Sequence, residues 1–499
     1  MDLQSRCCAA LRDGLAPITF GGKLTGGEEV RAVAAALGEA LSAAGLPSPA
    51  RIGFIPRNRP WVIAGLLELL ARGDMLVMIH AYQSPEAIAR DVARLDLSAV
   101  VASSEDVTPA LAAAVQAHAI CGIELMEGRA LKFGAERMSS RPSIARPGVE
   151  FLTSGTTGPP KHIGFSFEQV GRMVDDNIVP TGGAAAPPQL VYFPMGNISG
   201  FRSVLSCALH QREILLLDRF DFAAWRAYVR AYQPSVAALP TVALSMALEA
   251  KVDPAELQCL RVVITGASPL DRSVQKAFEQ HYGVVVLLSY GATEFGGPVT
   301  QTTAEDRARF GDTKIGSVGR PYGGSQVRIL DVDSGEAVGA GVIGRLEVLA
   351  PRVSGAWIST SDLGSIDEDG FLFLHGRADG AIMRGGFKIL PESIERALAL
   401  HPSVAAAAVV GLEDVRLGQV PGAAIELAPG IGEMDVAVLD QHLRRHVPAT
   451  HIPTQWLFVE RLPRNITMKL DLGAVRGLFA SATSASAFTL AGSAQEDNP

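Results

Sequence analysis

Cysteine is scarce in this chain: Cys7, Cys8, Cys121, Cys207 and Cys259 are the only five in 499 residues, and no two have a Cys-x-x-Cys spacing. An odd number without paired spacing argues against a disulfide framework or a zinc site and suits a reducing cytoplasm. A basic block is also missing. Lys and Arg number 44 against 52 Asp and Glu, a formal charge of −8, so a nucleic-acid partner is not expected. No apolar run approaches the roughly 20 residues of a membrane span. Met1 to Arg12 carries Asp2, Arg6 and Arg12 and has no apolar leader core. The last residues, Gln495-Glu496-Asp497-Asn498-Pro499, do not form a Ser-Lys-Leu address. The expectation is a cytoplasmic protein with neither a membrane span nor a nucleic-acid partner.

What is present is core. Hydrophobic residues make up 48% and charged residues 19%, enough to bury several subdomains and too apolar for disorder. Short aliphatic runs at 51–55, 75–79, 99–101, 213–217, 261–265 and 284–288 read as strands. Between several of them lie helical patterns. One spans 28–44, with Val30, Val33, Leu37 and Leu41 on one face, a capping-box spacing at Thr25-Gly26-Gly27-Glu28 and Gly45 as its stop. Strands alternating with helices predict α/β layers of mostly parallel sheets. The texture changes near Gly376. Beyond it, strands at 404–410, 423–426 and 456–459 and a helix at 435–447 predict a small α+β domain. The expected division is 1–377, 378–480 and a flexible Ser/Ala-rich tail at 481–499.

The most informative segment is Phe151-Leu152-Thr153-Ser154-Gly155-Thr156-Thr157-Gly158-Pro159-Pro160-Lys161. An apolar strand runs into two glycines, four hydroxyls and a lysine. Glycines let the backbone turn N–H groups toward an anion, hydroxyls add donors, and Lys161 adds a cation, a set suited to a polyphosphate. It is not a Walker loop, because no glycine directly precedes Lys161. The alternative is a Ser/Thr/Gly surface loop. With the strand before it and Pro-Pro-Lys after it, the segment resembles the signature loop of the adenylate-forming superfamily of acyl-CoA synthetases, adenylation domains and luciferases.

Four further segments follow in that superfamily's order. In Ser289-Tyr290-Gly291-Ala292-Thr293-Glu294, the resemblance implies that Tyr290 stacks on adenine, Thr293 contacts the α-phosphate and Glu294 holds Mg²⁺. A flat ring suits a base, and a hard oxygen suits Mg²⁺ on phosphate. In Ser359-Thr360-Ser361-Asp362-Leu363-Gly364, Asp362 matches the aspartate that accepts from both ribose hydroxyls. The superfamily usually has glycine at Ser361, and the segment 350–357 is shorter than usual. In Gly376-Arg377-Ala378-Asp379, Arg377 matches a nucleotide-contacting arginine and Asp379 the hinge of a mobile C-terminal domain. Gly385, Gly386 and Lys388 then match the path of the thiol arm, although a Gly pair at a helix end is an alternative reading. In Leu462-Pro463-Arg464-Asn465-Ile466-Thr467-Met468-Lys469, Lys469 matches the lysine that steadies carboxylate and α-phosphate during adenylation, with Met468 where glycine is usual.

The resemblance also implies the chemistry. A substrate carboxylate attacks the α-phosphorus of ATP, with Mg²⁺, and releases pyrophosphate; the thiol of CoA then takes the acyl group. Gly266, Ala267 and Ser268 join the nucleotide site. The acyl pocket is expected from Asn197, Ile198, Ser199, Gly200, Thr241, Gly296 and Gly297, with Asn197 where many acyl-CoA ligases have histidine. No Asp or Glu lies between Val191 and Leu209 to bind an α-ammonium. Small residues dominate the other segments, so the expected acid is not an amino acid and is bulky and apolar; the alternative for the glycines is ordinary tight packing. A separate carrier-protein thiol as acceptor, or a non-catalytic nucleotide-binding relative, are the competing readings.

Overall fold

A computed structural model describes residues 1–46, 49–134, 146–153, 161–176, 187–266, 268–378, 380–384, 387–414, 416–432 and 434–492. By its contacts the chain forms two compact units, each discontinuous in sequence. The first comprises 1–238, 291–299 and 350–356; the second comprises 239–290, 300–349 and 357–499.

The first unit is built on a seven-stranded sheet. Its order is Arg129–Gly134, Cys121–Met126, Ala99–Ser103, Arg51–Ile55, Met75–Met78, Gly148–Thr153 and Lys161–Ser166. The five central strands run parallel and the two outer ones antiparallel. Crossover helices explain the parallel centre. Pro60–Arg72, for example, starts with Pro at its first position and ends at Gly73 with φ +79, a start and stop that leave no backbone conflict. Ile52, Phe54, Leu76, Val101 and Phe151 are fully buried or nearly so, as expected of strands covered on both faces. A second sheet of four strands has the order Gln189–Val191, Ile214–Leu216, Ile18–Phe20 and Lys23–Thr25. That last strand corrects the expected helix cap. Thr25 pairs with Ile18, so the helix Gly27–Ala43 is capped at Gly26, whose N–H is taken by Glu29 rather than Glu28.

In the second unit, Val262–Gly266 and Val285–Ala292 run parallel. An antiparallel sheet has the order Gln326–Leu330, Gly344–Leu349, Trp357–Ile366 and Leu372–Arg377. Beyond it, Phe387–Ile389, Ile382–Arg384, Gly418–Leu427 and Val404–Asp414 form a sheet, with Gln455–Val459 parallel to Gly418–Leu427. Helices Pro391–Ala399 and Val436–Leu443 contribute Ile394, Leu398, Leu439 and Leu443 to a core with Val409 and Ile425. This is the α+β pattern expected after Gly376. The last helix runs Leu472–Gly492, into the stretch expected as a tail. No helix among the described residues is long and apolar enough to cross a membrane.

Candidate active site

In the first unit, the strands Gly148–Thr153 and Lys161–Ser166 pair antiparallel with Thr153 opposite Lys161. Ser154, Gly155, Thr156, Thr157 and Gly158 lie in 154–160, outside the described residues, and Thr153 is placed by its backbone only. Lys161 is exposed at the start of the return strand. Next to it is a cluster that sequence reasoning missed. Buried Glu150 accepts from Arg51 Nη2 at 3.0 and 3.1 Å and contacts His162 Nδ1. Nothing local signals it, because Arg51 stands two strands away.

Gly291, Ala292, Thr293 and Glu294 carry the strand Val285–Ala292 into a single 3₁₀ turn, Thr293–Phe295. Glu294 is half-buried and has no hydrogen-bond or ion-pair partner among the described residues. A carboxylate in that state has its oxygens available to a cation. Below the turn, Arg352 is almost wholly buried. Its Nε donates to Phe295 O at 2.9 Å, its Nη2 to Pro298 O, and its Nη1 pairs with Asp176 at 3.0 Å. The short segment around 350–357 thus places one arginine under the Glu294 turn, a role that no spacing pattern signals.

Asn197 caps the helix Ile198–Leu209 by backbone alone, with no hydrogen bond from its side chain to the helix end. Ile198 is buried and Ser199 exposed. The loop before Asn197 is held by Asn58, which is fully buried. Its Nδ2 donates to Phe193 O at 3.1 Å and Leu217 O at 2.9 Å, and its Oδ1 accepts from Met195 N at 3.0 Å. The glycines expected to open room for a bulky acid require a correction. A Cβ on Gly200 would stand 2.2 Å from Pro194 O. Gly296 has φ +67 and packs on Met173, and Gly297 has φ +127 and packs on Arg202. Their lack of a side chain serves a close turn and left-handed backbone, so it makes no space for a substrate.

In the second unit, Gly266 lies opposite Ser289 on the paired strands, and Ser289 Oγ reaches Thr265 O at 3.4 Å. Ser268 is half-buried, Thr241 is buried at the start of its helix, and Ala267 lies outside the described residues. Tyr290 is 9% exposed, and its hydroxyl donates to Asp362 Oδ2. Asp362 and Arg377 are cross-strand partners, with Arg377 Nη1 3.8 Å from Asp362 Oδ1 and Arg377 Nη2 donating to Ser361 Oγ at 2.5 Å. Lys469 feels the charges of Arg377 and Asp362. Its surface is largely open, yet crowding around the ammonium and the Arg377 charge hold its pKa below the ordinary lysine range, with Asp362 acting against them.

The loop that presents Lys469 has its own structure. Asn465 Oδ1 accepts from Thr467 N at 2.9 Å, Thr467 Oγ1 at 2.7 Å and Lys469 N at 3.1 Å. Arg464 Nη1 donates to Met468 O at 3.2 Å. Met468 has φ +64, the left-handed conformation that glycine adopts freely. Asp379, Gly385 and Gly386 lie outside the described residues, and Lys388 is placed by its backbone only.

Three residues singled out by motif in the second unit therefore come together: Tyr290 and Arg377 both engage Asp362, and Lys469 is near enough to feel the charges of Arg377 and Asp362. The model of the AMP-binding enzyme family matches residues 9–355, and that of the AMP-binding enzyme C-terminal domain matches residues 393–469. The chain belongs to the AMP-binding enzyme family. Family membership makes the adenylate-forming resemblance a finding. Among relatives, the 2-succinylbenzoate–CoA ligase of Bacillus licheniformis is 29% identical over 335 residues, 64% of this chain and 67% of that one. The 2-succinylbenzoate–CoA ligase of Bacillus mycoides is 25% identical over 450 residues, 87% of this chain and 89% of that one. Among solved structures, the amide bond synthetase of Marinactinospora thermotolerans is 25% identical with a TM-score of 0.77, covering 96% of this chain and 99% of that chain.

Proposed function

We propose that this chain activates a carboxylic acid with ATP to an acyl-AMP and pyrophosphate, then passes the acyl group to CoA. The observation that carries this reading is the group in the second unit. Arg377 pairs with a carboxylate, Asp362, that Tyr290 also engages, and the charges of both reach a cation on a turn, Lys469. In the first step a carboxylate oxygen bonds to the α-phosphorus and pyrophosphate leaves. The nucleophile is already ionised, so the protein's task is orientation and stabilisation of charge on phosphate oxygens. Lys469 and Thr293 would serve that charge, and Asp362, with acceptor capacity left beyond Tyr290 and Arg377, would take the ribose hydroxyls. Glu294 fits Mg²⁺, which is held in such sites by one or two carboxylates plus phosphate oxygens; when bound, the ion neutralises phosphate charge. In the second step the thiol sulfur bonds to the acyl carbon, AMP leaves with the carboxyl oxygen, and the thiol proton is released. Residues 378–480 would act as a lid turning about Asp379, with Gly386 beside the thiol's path.

The relatives named as 2-succinylbenzoate–CoA ligases support an aromatic, non-amino acid substrate, which fits the absence of an acidic anchor between Val191 and Leu209. Acid-dependent ATP–pyrophosphate exchange over a panel of acids, with and without CoA, tests the proposal. ADP and phosphate as products would overturn it, and an α-amino acid with the highest kcat/KM would overturn the acid class. The likeness to an amide bond synthetase over almost the whole chain favours a second reading, in which an amine takes the acyl group. Amide formation from a supplied amine, exceeding thioester formation from CoA, would select it.

A further inference from the structure

The Glu294 turn is gripped by a segment distant from it in sequence. Residues 291–299 and 350–356 both fold with the first unit, although the chain on either side of each belongs to the second. Arg352 joins them. It is 4% exposed, and its guanidinium donates to Phe295 O and to Pro298 O, one carbonyl on each side of the Gly296-Gly297 pair. The turn is closed by its own bond, Gly296 N to Thr293 O at 2.9 Å, so the arginine bears on where the turn stands and not on whether it forms. Arg352 is in turn fixed to the helix Phe167–Asp175, which directly follows the strand that carries Lys161. Asp176, at the end of that helix, pairs with Arg352 Nη1 at 3.0 Å. Arg172 Nε donates to Arg352 O at 3.2 Å, and Gln169 Nε2 donates to Val353 O. A guanidinium is costly to bury unless it is paired and its donors are used, and both conditions are met here by the turn and the helix together.

We infer that Arg352 is a positioning residue for the metal carboxylate: it ties the Glu294 turn to the helix behind Lys161, so that Glu294 keeps a fixed place in the first unit. The inference rests on the reading of Glu294 as the carboxylate that takes Mg²⁺. Without the guanidinium, the carbonyls of Phe295 and Pro298 lose this donor and the turn shifts to recover hydrogen bonds elsewhere. Glu294 shifts with it. The loss falls on the share of nucleotide affinity that the metal supplies, and metal-free nucleotide binds as before.

The test measures ATP affinity by calorimetry, once with Mg²⁺ and once with EDTA, in wild type, Arg352→Met, Arg352→Lys, Glu294→Gln and the double variant Glu294→Gln with Arg352→Lys. The ratio of the two affinities is the gain from magnesium. Arg352→Met should lose about tenfold of that gain, the size of one hydrogen bond to a charged group, with metal-free affinity within twofold of wild type. Arg352→Lys keeps the charge but cannot reach both carbonyls, and should lose about threefold; it decides the matter by the same comparison if the methionine variant does not fold. The double variant should lose no more of the gain than Glu294→Gln alone, because both changes act through one carboxylate. An unchanged gain in both Arg352 variants overturns the inference. So does an equal penalty with and without magnesium, which marks general damage, and so do additive losses in the double variant. A gain from magnesium that survives in Glu294→Gln overturns the metal reading of Glu294 itself.

Discussion

Replacing Asn465 with alanine would untie the turn that presents Lys469. Asn465 Oδ1 accepts from two backbone N–H groups, of Thr467 and Lys469, and from the Thr467 hydroxyl. The turn also holds Met468 at φ +64, a conformation that costs a non-glycine residue about 1–2 kcal/mol. The bonds lie in an exposed segment, so each contributes near the low end of ~0.5–1.5 kcal/mol. Together they supply about 1–2 kcal/mol, the same size as the strain they hold in place. Removing them would leave the Lys469 loop out of its pose in most molecules, since about 1.4 kcal/mol is tenfold in population. Global stability should change little, because the opening is local. The assay compares pyrophosphate exchange with thioester formation from supplied acyl-AMP. Asn465→Ala should slow exchange about tenfold and leave thioester formation within twofold. Asn465→Asp, which keeps the acceptor, should retain most activity. Met468→Gly added to Asn465→Ala should recover part of the loss, because glycine adopts this φ without strain. Wild-type exchange in Asn465→Ala would refute the reasoning, as would equal losses in both steps.

Three further outcomes are expected. Lys469→Ala should lose about 2–4 kcal/mol of transition-state stabilisation in adenylation, roughly a hundred- to thousand-fold, and little in thioester formation; normal exchange would mean that another cation acts. If protonated Lys469 is required, exchange should fall on the alkaline side at a pH below the ordinary lysine value of about 10.4, because crowding and Arg377 favour the uncharged amine. Arg377→Ala should move that limb upward in the pH–rate profile, and an unmoved limb would exclude Arg377 as a cause. Glu395 accepts from Val409 N at 2.8 Å, and burial pushes its carboxyl up to about 7 from 4.5. Its proton is held by folded and unfolded forms alike at low pH and by the folded form alone between those values. Stability should therefore fall with rising pH across that window, by up to about 3 kcal/mol. Urea unfolding of Glu395→Gln should lack that part of the slope, and a slope identical to wild type would refute it.

The sequence by itself determined what is local. Aliphatic runs placed the strands Arg51–Ile55 and Met75–Met78 within a residue, and helical spacing placed Gly27–Ala43 and Val436–Leu443. The strands follow from continuous apolar runs and the helices from a period of 3.6 residues, both of which a short window contains. The resemblance to the adenylate-forming superfamily also singled out Tyr290, Glu294, Asp362, Arg377 and Lys469 from the sequence. Only the tertiary structure decided which of these meet and what holds them. Tyr290 reaches Asp362 across 72 residues of chain, and Asn58 reaches Phe193 across 135. Sheet order and register set such contacts, and no local period encodes them. The same is true of Thr25, drawn from a helix cap into a strand by Ile18, and of Gly200, Gly296 and Gly297. Composition marks those glycines as small, but only their neighbours, Pro194, Met173 and Arg202, show that the space beside them is already filled.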